Sequence, residues 1–432
     1  MDFTKYFALP QPNTPLKLSE EPASIRLGRE SLQGTASAVI RALPRPRVTL
    51  DVEVSSYFGL DISKKVEVTL ASSPKPLPCA VANGKLFSET PSTIRLRPLE
   101  EVSRGALDMP VREIIFSVPN FPEFLGHGVI ETLPLGGWRR VDELRLTISD
   151  WRVTIRNTPD INEQKIALSE NGGFGITAVG IMERSDHHTF TWEEAAPQLE
   201  TLRVFLSFAC GRWTGPMLPI GLDENGARIW ERWSVPRLFD DAFIVMTWFD
   251  VHHGATLSDI MPGFLVKWSD ALWKETISYA IYWFVRANSP RAGADASVIL
   301  SQAALEMLSW TYLVKSTSTI SRSQFKKQNA ETNIRTLLAA LGIPVVIPSS
   351  LSELDAEAAR RGWCDGVQAI TSIRNDLVHP EKGAPAPVTE AWVLGQRFLE
   401  LVLLRLFDFH GEHANRTIET RWVGTVERVP WT

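Results

Sequence analysis

The sequence predicts an α+β multidomain protein: an N-terminal antiparallel β-sandwich or barrel-like domain, a mixed Trp-rich middle region and a C-terminal all-α helical bundle. Three observations carry this. From about residue 22 to 185, apolar and polar residues alternate with period two between clusters of Gly, Pro, Asn and Ser. From about 275 to 410, apolar residues recur at intervals of three and four. Between them lies a stretch rich in tryptophan that carries both kinds of signal. At 432 residues the chain is long enough for two or three cores, and the boundaries fall at 1–190, 191–274, 275–410 and 411–432.

In the first region, Val48, Leu50, Val52 and Val54 alternate with Thr49, Asp51 and Glu53, and Val66, Val68 and Leu70 repeat the pattern. Further strands are predicted at Thr93–Leu96, Glu113–Val118, Leu144–Ile148 and Trp151–Ile155. Short strands joined by turns imply an antiparallel sandwich or barrel. Asn171–Gly175 reads as a turn, because it lacks the Lys-Ser/Thr ending of a phosphate loop. Trp192–Cys210 repeats Leu199, Leu202, Phe205 and Leu206 at helical spacing before Gly211, and predicts a helix. In Met217–Trp233, Asp223-Glu224-Asn225-Gly226 is a hairpin turn. The tryptophans up to about 274 suit a junction, since aromatic rings bury large areas.

Helices are then predicted at Ile277–Ala287, Asp295–Leu313, Gln324–Ala340, Leu351–Ala359, Cys364–Val378 and Val388–Phe407, which together make a bundle. The tail, with Arg421-Trp422-Val423, is expected to return as a short strand against an earlier domain.

Composition limits the function classes. Apolar content of 44% and charged content of 22% are ordinary for a globular protein. Cys79, Cys210 and Cys364 are far apart and odd in number, which suits a reducing compartment without a disulfide framework. Met1–Tyr6 shows no basic region followed by an apolar run, and no stretch reaches the roughly 18 apolar residues of a membrane span. A cytoplasmic location without membrane contact is expected. The net charge of −5 argues against a surface coated for constitutive nucleic-acid binding. That acidity is uneven: residues up to 275 carry 29 Lys+Arg against 35 Asp+Glu, and those beyond carry 16 against 15.

Chemistry is legible at Ile373-Arg374-Asn375-Asp376-Leu377-Val378-His379-Pro380. The residue before a proline is pushed out of the α region, so the helix carrying Arg374 should stop at about His379. Asn375 lies four residues and Asp376 three residues before His379, within reach of the imidazole on a helix. Arg374 lies about 140° around from His379 at 3.6 residues per turn. One guanidinium cannot easily share a small target with that histidine, whereas two helices related by a two-fold axis can each offer an Arg to the partner's His.

These residues resemble the signature of the HEPN superfamily: Arg, then commonly Asn, Asp or His, then three to five residues and His. The helical context from 275 to 410 is similar to HEPN bundles. The resemblance implies a homodimeric, metal-independent ribonuclease with no cofactor, in which Arg374, Asn375 and His379 are catalytic. Such cleavage needs a base for the ribose 2′-hydroxyl, an acid for the leaving oxygen and positive charge on the phosphorane. Histidine can serve in either proton transfer near neutral pH, and arginine matches phosphate oxygens. The competing reading is a helix end at which His379 caps carbonyls and Arg374 pairs with an acid.

Other residues are candidates for support. Asp376 either orients His379 or is solvated beside the loop. Glu306, among Ala, Leu and Met, is expected to pair with a helix residue such as Arg374 and fix its direction. Arg322, Lys326, Lys327, Arg360 and Arg361 form basic clusters that could lead an RNA strand to the site, or simply be solvated helix faces. Asp186-His187-His188 and Asp250-Val251-His252-His253 invite a metal, but adjacent strand residues point to opposite faces, so loop histidines are expected and no metal.

The order of a β-rich region before a HEPN-like domain is also similar to ApeA-type anti-phage HEPN proteins. It implies an RNA-cleaving effector in anti-phage defence or stress response, with a phage or cellular trigger bound by the N-terminal domain. The alternative is a non-catalytic HEPN-fold scaffold that dimerises or binds a partner.

Overall fold

The computed structural model describes residues 10–27, 30–54, 65–73, 75–84, 92–132, 137–235, 238–243, 245–379, 387–418 and 422–431. Pro380 and Arg421, which enter two of the expectations above, lie outside them. The α+β multidomain class is correct, with a mostly antiparallel β region followed by helices.

Six strands come first: β1 (Leu16–Leu27), β2 (Glu30–Arg41), β3 (Arg47–Val54), β4 (Lys65–Leu70), β5 (Leu77–Gly84) and β6 (Ser92–Pro98). Next are β7 (Val102–Gly105), β8 (Glu113–Pro119), β9 (His127–Thr132), β10 (Trp138–Ile148), β11 (Trp151–Asn157), α1 (Ile161–Asn171), β12 (Ile176–Arg184), α2 (Trp192–Cys210), β13 (Met217–Leu222) and β14 (Arg228–Trp233). Helices α3 (Thr256–Ser269), α4 (Ala271–Asn288) and α5 (Gly293–Trp310) follow, and a π-helical turn, Thr311–Ser316, extends α5. Then come α6 (Arg322–Lys327), α7 (Ala330–Ala340), α8 (Ser352–Arg361), α9 (Gly366–Val378), α10 (Val388–Leu406), β15 (Glu412–His413) and β16 (Glu427–Arg428).

The chain divides into two units, each assembled from several segments: Met1–Glu123, Asp150–Glu200 and Thr214–Phe243 in one, Phe124–Ser149, Thr201–Trp213 and Ile244–Thr432 in the other. Residues 191–274, read from sequence as one middle region, are therefore shared between them.

In the β unit, the first six strands close an antiparallel barrel in the order β1-β2-β3-β6-β5-β4. Period two explains it. Leu50, Val52 and Val54 of β3, Val66, Val68 and Leu70 of β4, and Ile94 and Leu96 of β6 all point into one buried core, with Cys79 of β5 among them. The outward face of β3 carries Asp51, whose carboxylate takes hydrogen bonds from Arg95 (Nε–Oδ1 2.8 Å) and Arg41. The same unit lays six strands side by side in the order β7-β14-β13-β8-β12-β11. Leu16 and Ile40 from the barrel strands, with Ala42 just past β2, share a second core with Ile115, Ile176, Val179 and Ile220 of these strands. The β13–β14 turn forms where expected: Asp223 Oδ1 accepts from Asn225 and Ala227 N–H, both at 2.8 Å, and Gly226 has φ 74.

In the helical unit, α5 packs against α4, α7, α9 and α10, and α3 packs against β10 of the β9–β10 hairpin. The bundle thus begins earlier than the predicted residue 275. Leu257, Ile260, Met261, Phe264 and Trp268 give α3 its buried stripe in spite of Pro262. Gly263 is required here, because a Cβ would lie 1.7 Å from the Phe407 carbonyl oxygen. At the α5–α10 crossing, Gly395 leaves room for Ser301, whose hydroxyl accepts from Gln396 Nε2 at 2.8 Å. The predicted helix 324–340 is two helices, since Asn329 caps α7 by accepting from Thr332 N–H at 2.8 Å. Among the described residues, no helix is long and apolar enough to cross a membrane.

The tail does return as strand, but β16 pairs with β15 of the tail itself, not with an earlier domain. It is anchored by Arg416, which is 3% exposed. Its guanidinium grips Glu400 of α10 (Nη2–Oε1 2.6 Å, Nε–Oε2 2.9 Å) and donates to Asn288 Oδ1 and the Met246 carbonyl. The same carboxylate accepts the Trp248 N–H at 3.0 Å. Removing one partner of a buried, hydrogen-bonded pair leaves the other charge stranded, at a cost of about 3–5 kcal/mol. Arg416→Ala should lower the unfolding free energy by about that amount, measured by urea denaturation of the full chain. A loss within ~1 kcal/mol, the range of an exposed pair, would show that the network does not hold the tail.

Candidate functional site

Helix α9 is fixed at both ends by carboxylates. Asp365 caps its start by accepting from Gln368 N–H at 2.8 Å. Arg335 of α7 clamps the same side chain through Nε–Oδ2 at 2.6 Å and Nη2–Oδ1 at 3.0 Å. Val367, Ile370 and Ile373 form the buried face, packed against α5, α7 and α10. Near the other end, Asp376 is 6% exposed and forms an ion pair with Arg361 of α8 at 2.5 Å. The helix ends at Val378, with His379 at the C-cap in a non-helical conformation (φ −123, ψ 81) and its N–H on the Asn375 carbonyl at 3.0 Å.

What remains outward is Arg374, half-buried, with Asn375, Val378 and His379 exposed. Arg374 Nη1 donates to Asn375 Oδ1 at 3.4 Å, and no carboxylate pairs with it among the described residues. The imidazole of His379 has no hydrogen-bond partner among them either. A guanidinium, an amide and an imidazole therefore all face outward on the last turns of α9, with Arg374 about 140° around the helix from His379. An arginine without a carboxylate keeps its planar donors for phosphate oxygens.

Several expected supports are engaged elsewhere. Asp376 is neither solvated nor a partner of the imidazole; burial would be prohibitive for a lone carboxylate, and Arg361 neutralises it. Glu306 does not pair with Arg374; its Oε1 accepts from Gln302 Nε2 at 2.7 Å, one turn earlier on α5. Arg360 and Arg361 both bind Glu357, whose carboxyl is held down to about 2, first by the hydrogen bond from Arg360 and further by that from Arg361. Arg361 also lies against Trp363 at 5.1 Å, so it is engaged within the fold, whereas the Arg360 side chain remains exposed. Lys326 and Lys327 are exposed, and Arg322 lies over the Trp310 ring at 5.9 Å.

The histidine pairs have other neighbours. His187 sits at φ 63 with its ring against Arg112 (2.7 Å) and Arg152 (2.8 Å). The Asp250 carboxylate accepts the backbone N–H groups of His252 and Gly424, at 2.8 and 2.9 Å. Among the described residues, no three His, Cys, Asp or Glu side chains converge as metal ligands would. Sequence reasoning missed the Arg335–Asp365 clamp. Asp365 directly before the apolar-periodic run of α9 was the readable part of it, as an N-cap signal.

Comparison with known proteins finds similarity to two family models: residues 107–243 match the YopA central domain and residues 270–428 the YopA C-terminal domain. The chain is 27% identical over 430 residues to the SPbeta prophage-derived uncharacterized protein YopA of Bacillus subtilis (strain 168), covering 97% of this chain and 95% of that protein. No solved structure matches. The likeness to HEPN proteins rests on the motif residues themselves.

Acid should loosen this helix. Burial pushes the Asp365 carboxyl upward, but the hydrogen bonds and charge of Arg335, with the Gln368 N–H, outweigh it and leave the group below its usual value of 3.8. A depressed folded value means that the carboxylate stabilises the fold above the unfolded pKa of about 3.9, and that this is lost as pH falls through the folded value. Asp365→Asn should therefore lower stability at neutral pH and flatten the decline below pH ~4, followed as unfolding midpoints across that range. Parallel pH curves for wild type and variant would contradict this assignment.

Proposed function

We propose that the helical unit is a metal-independent endoribonuclease of HEPN type acting as a homodimer, and that the protein is an RNA-cleaving effector in anti-phage defence or stress response. The carrying observation is the outward trio. Arg374, Asn375 and His379 are available at the end of α9, while the neighbouring charges of Asp376, Arg361 and Glu306 are consumed by internal contacts. In the dimer, one His379 takes the proton from a ribose 2′-hydroxyl as that oxygen attacks phosphorus, and the partner's His379 protonates the departing 5′-oxygen. The products are a 2′,3′-cyclic phosphate and a 5′-hydroxyl. Arg374 from each copy neutralises the charge that builds on the phosphorane oxygens. Asn375 links Arg374 to His379: its side-chain oxygen accepts from Arg374 and its backbone carbonyl accepts the His379 N–H.

The β unit, which carries the acidic share of the chain, senses the trigger in this reading. The relative described as prophage-derived fits a role in conflict between phage and host. The protein works in the cytoplasm and needs no cofactor. A second reading, a non-catalytic scaffold that docks a partner at the same helix end, draws on Val378, an apolar side chain left 43% exposed beside the trio.

Total RNA incubated with the full chain in EDTA, under activating conditions such as lysate of phage-infected cells, should yield fragments ending in cyclic phosphate. His379→Ala should reduce the rate by about 10²–10⁴, the usual contribution of a positioned acid or base. Equal cleavage by both proteins, or none under those conditions, would refute the nuclease. Light scattering at micromolar concentration should give twice the chain mass of 48.3 kDa, and the single-chain mass would refute the dimer.

A further inference from the structure

Ion pairs engage many of the arginines of the helical unit. Arg335, Arg360, Arg361, Arg397, Arg405 and Arg416 all meet carboxylates. The segment linking α5 to α7 is the opposite. Between Glu306 and Glu331 it contains Lys315, Arg322, Lys326 and Lys327 and no acidic residue. All four are exposed, and none forms an ion pair among the described residues. Helix electrostatics account for only part of this: Lys326 and Lys327 suit the last turn of α6, but Arg322 stands in its first turn, where the dipole disfavours a cation.

The segment is also fixed in place. The π turn is held by Thr317 N–H on the Tyr312 carbonyl at 2.9 Å, and Ile320 N–H reaches Leu313 at 3.2 Å. Ser321 and Gln324 cap each other's backbone, and Asn333 Nδ2 ties Phe325 to α7 at 3.2 Å. Half-buried Trp310 and Phe325 meet edge-to-face at 5.0 Å, with Arg322 over Trp310. The exposed hydroxyls of Ser316, Thr317, Ser318 and Thr319 line the connection.

We propose that the π turn and α6 form a docking surface for single-stranded RNA, separate in sequence from the Arg374 helix end and supplying it with substrate. The unpaired cations take backbone phosphates, the hydroxyls hydrogen-bond to phosphate and sugar, and the Trp310–Arg322–Phe325 cluster offers a face on which a base stacks. Unneutralised charge favours a polyanion, and the aromatic cluster favours one that carries bases. This surface rests on the RNA reading of the protein but is tested without cleavage.

The experiment is fluorescence anisotropy with labelled single-stranded RNA of about 20 nucleotides, enough to span a typical single-strand site, in full chain carrying His379→Ala. Replacing Lys315, Arg322, Lys326 and Lys327 by Gln should weaken binding about tenfold or more, and flatten the slope of log K against log salt by ~0.7 for each lost phosphate contact. A control set, Lys17, Lys65, Lys75 and Lys165 to Gln, should leave affinity unchanged. RNA binding that survives the first set, an equal loss in the control set, or no binding by the parent protein would each overturn the proposal. Anionic vesicles released by the first set while RNA binding persists would assign the surface to a membrane instead. Failure of the unsubstituted chain to cleave RNA that the His379→Ala chain binds would count against the nuclease alone.

Discussion

A guanidinium and a carboxylate buried together set the terms for the helical unit. Isolated, either charge would cost several kcal/mol to bring out of water. Arg416 and Glu400 coexist in the interior because Asn288, the Met246 carbonyl and the Trp248 N–H occupy further donor and acceptor positions. Those partners come from the end of α4, from α10, from the segment before α3 and from the tail. The network ties these parts to one another through the Arg416 and Glu400 side chains. With α10 placed, α9 follows, because α9 packs against α10 and α5. The direction of Arg374 and His379 is thus a downstream consequence of a charge pair they do not touch.

Within α9 itself, charge is sorted by depth. Asp365 and Asp376 lie at the two ends, and each is matched by an arginine from a neighbouring helix, Arg335 from α7 and Arg361 from α8. Electrostatics on the inner side are closed within the fold. On the outer side, among the described residues, Arg374 meets the amide of Asn375 and no carboxylate.

Sequence carried the local order well and the long-range order poorly. Leu50, Val52 and Val54 announced a strand with one buried face, and the barrel followed. Helix α1 was hidden because Ile161–Asn171 has almost no apolar period. Helix α3 was obscured by Pro262-Gly263, two residues that argue against a helix until Phe407 is seen pressing on it. The division of 191–274 between two units was illegible, because periodicity reports which face is buried and never against which distant segment. The same holds at the candidate site. Pro380 marked the helix end correctly, but the role of Asp376 depended on Arg361, fifteen residues away, which no spacing rule connects to it.

The discontinuous make-up of the helical unit has a consequence for biosynthesis. The β9–β10 hairpin is made long before α3, whose Ser258 hydroxyl bonds the Arg145 carbonyl of that hairpin at 2.6 Å. Arg416 is made after every helix it secures. A nascent chain therefore holds its earliest contribution to this unit in waiting and its last polar anchor in reserve. The helix end bearing Arg374 and His379 reaches its final setting only after translation has passed it, so a ribosome stalled partway releases helices without the framework that aims them.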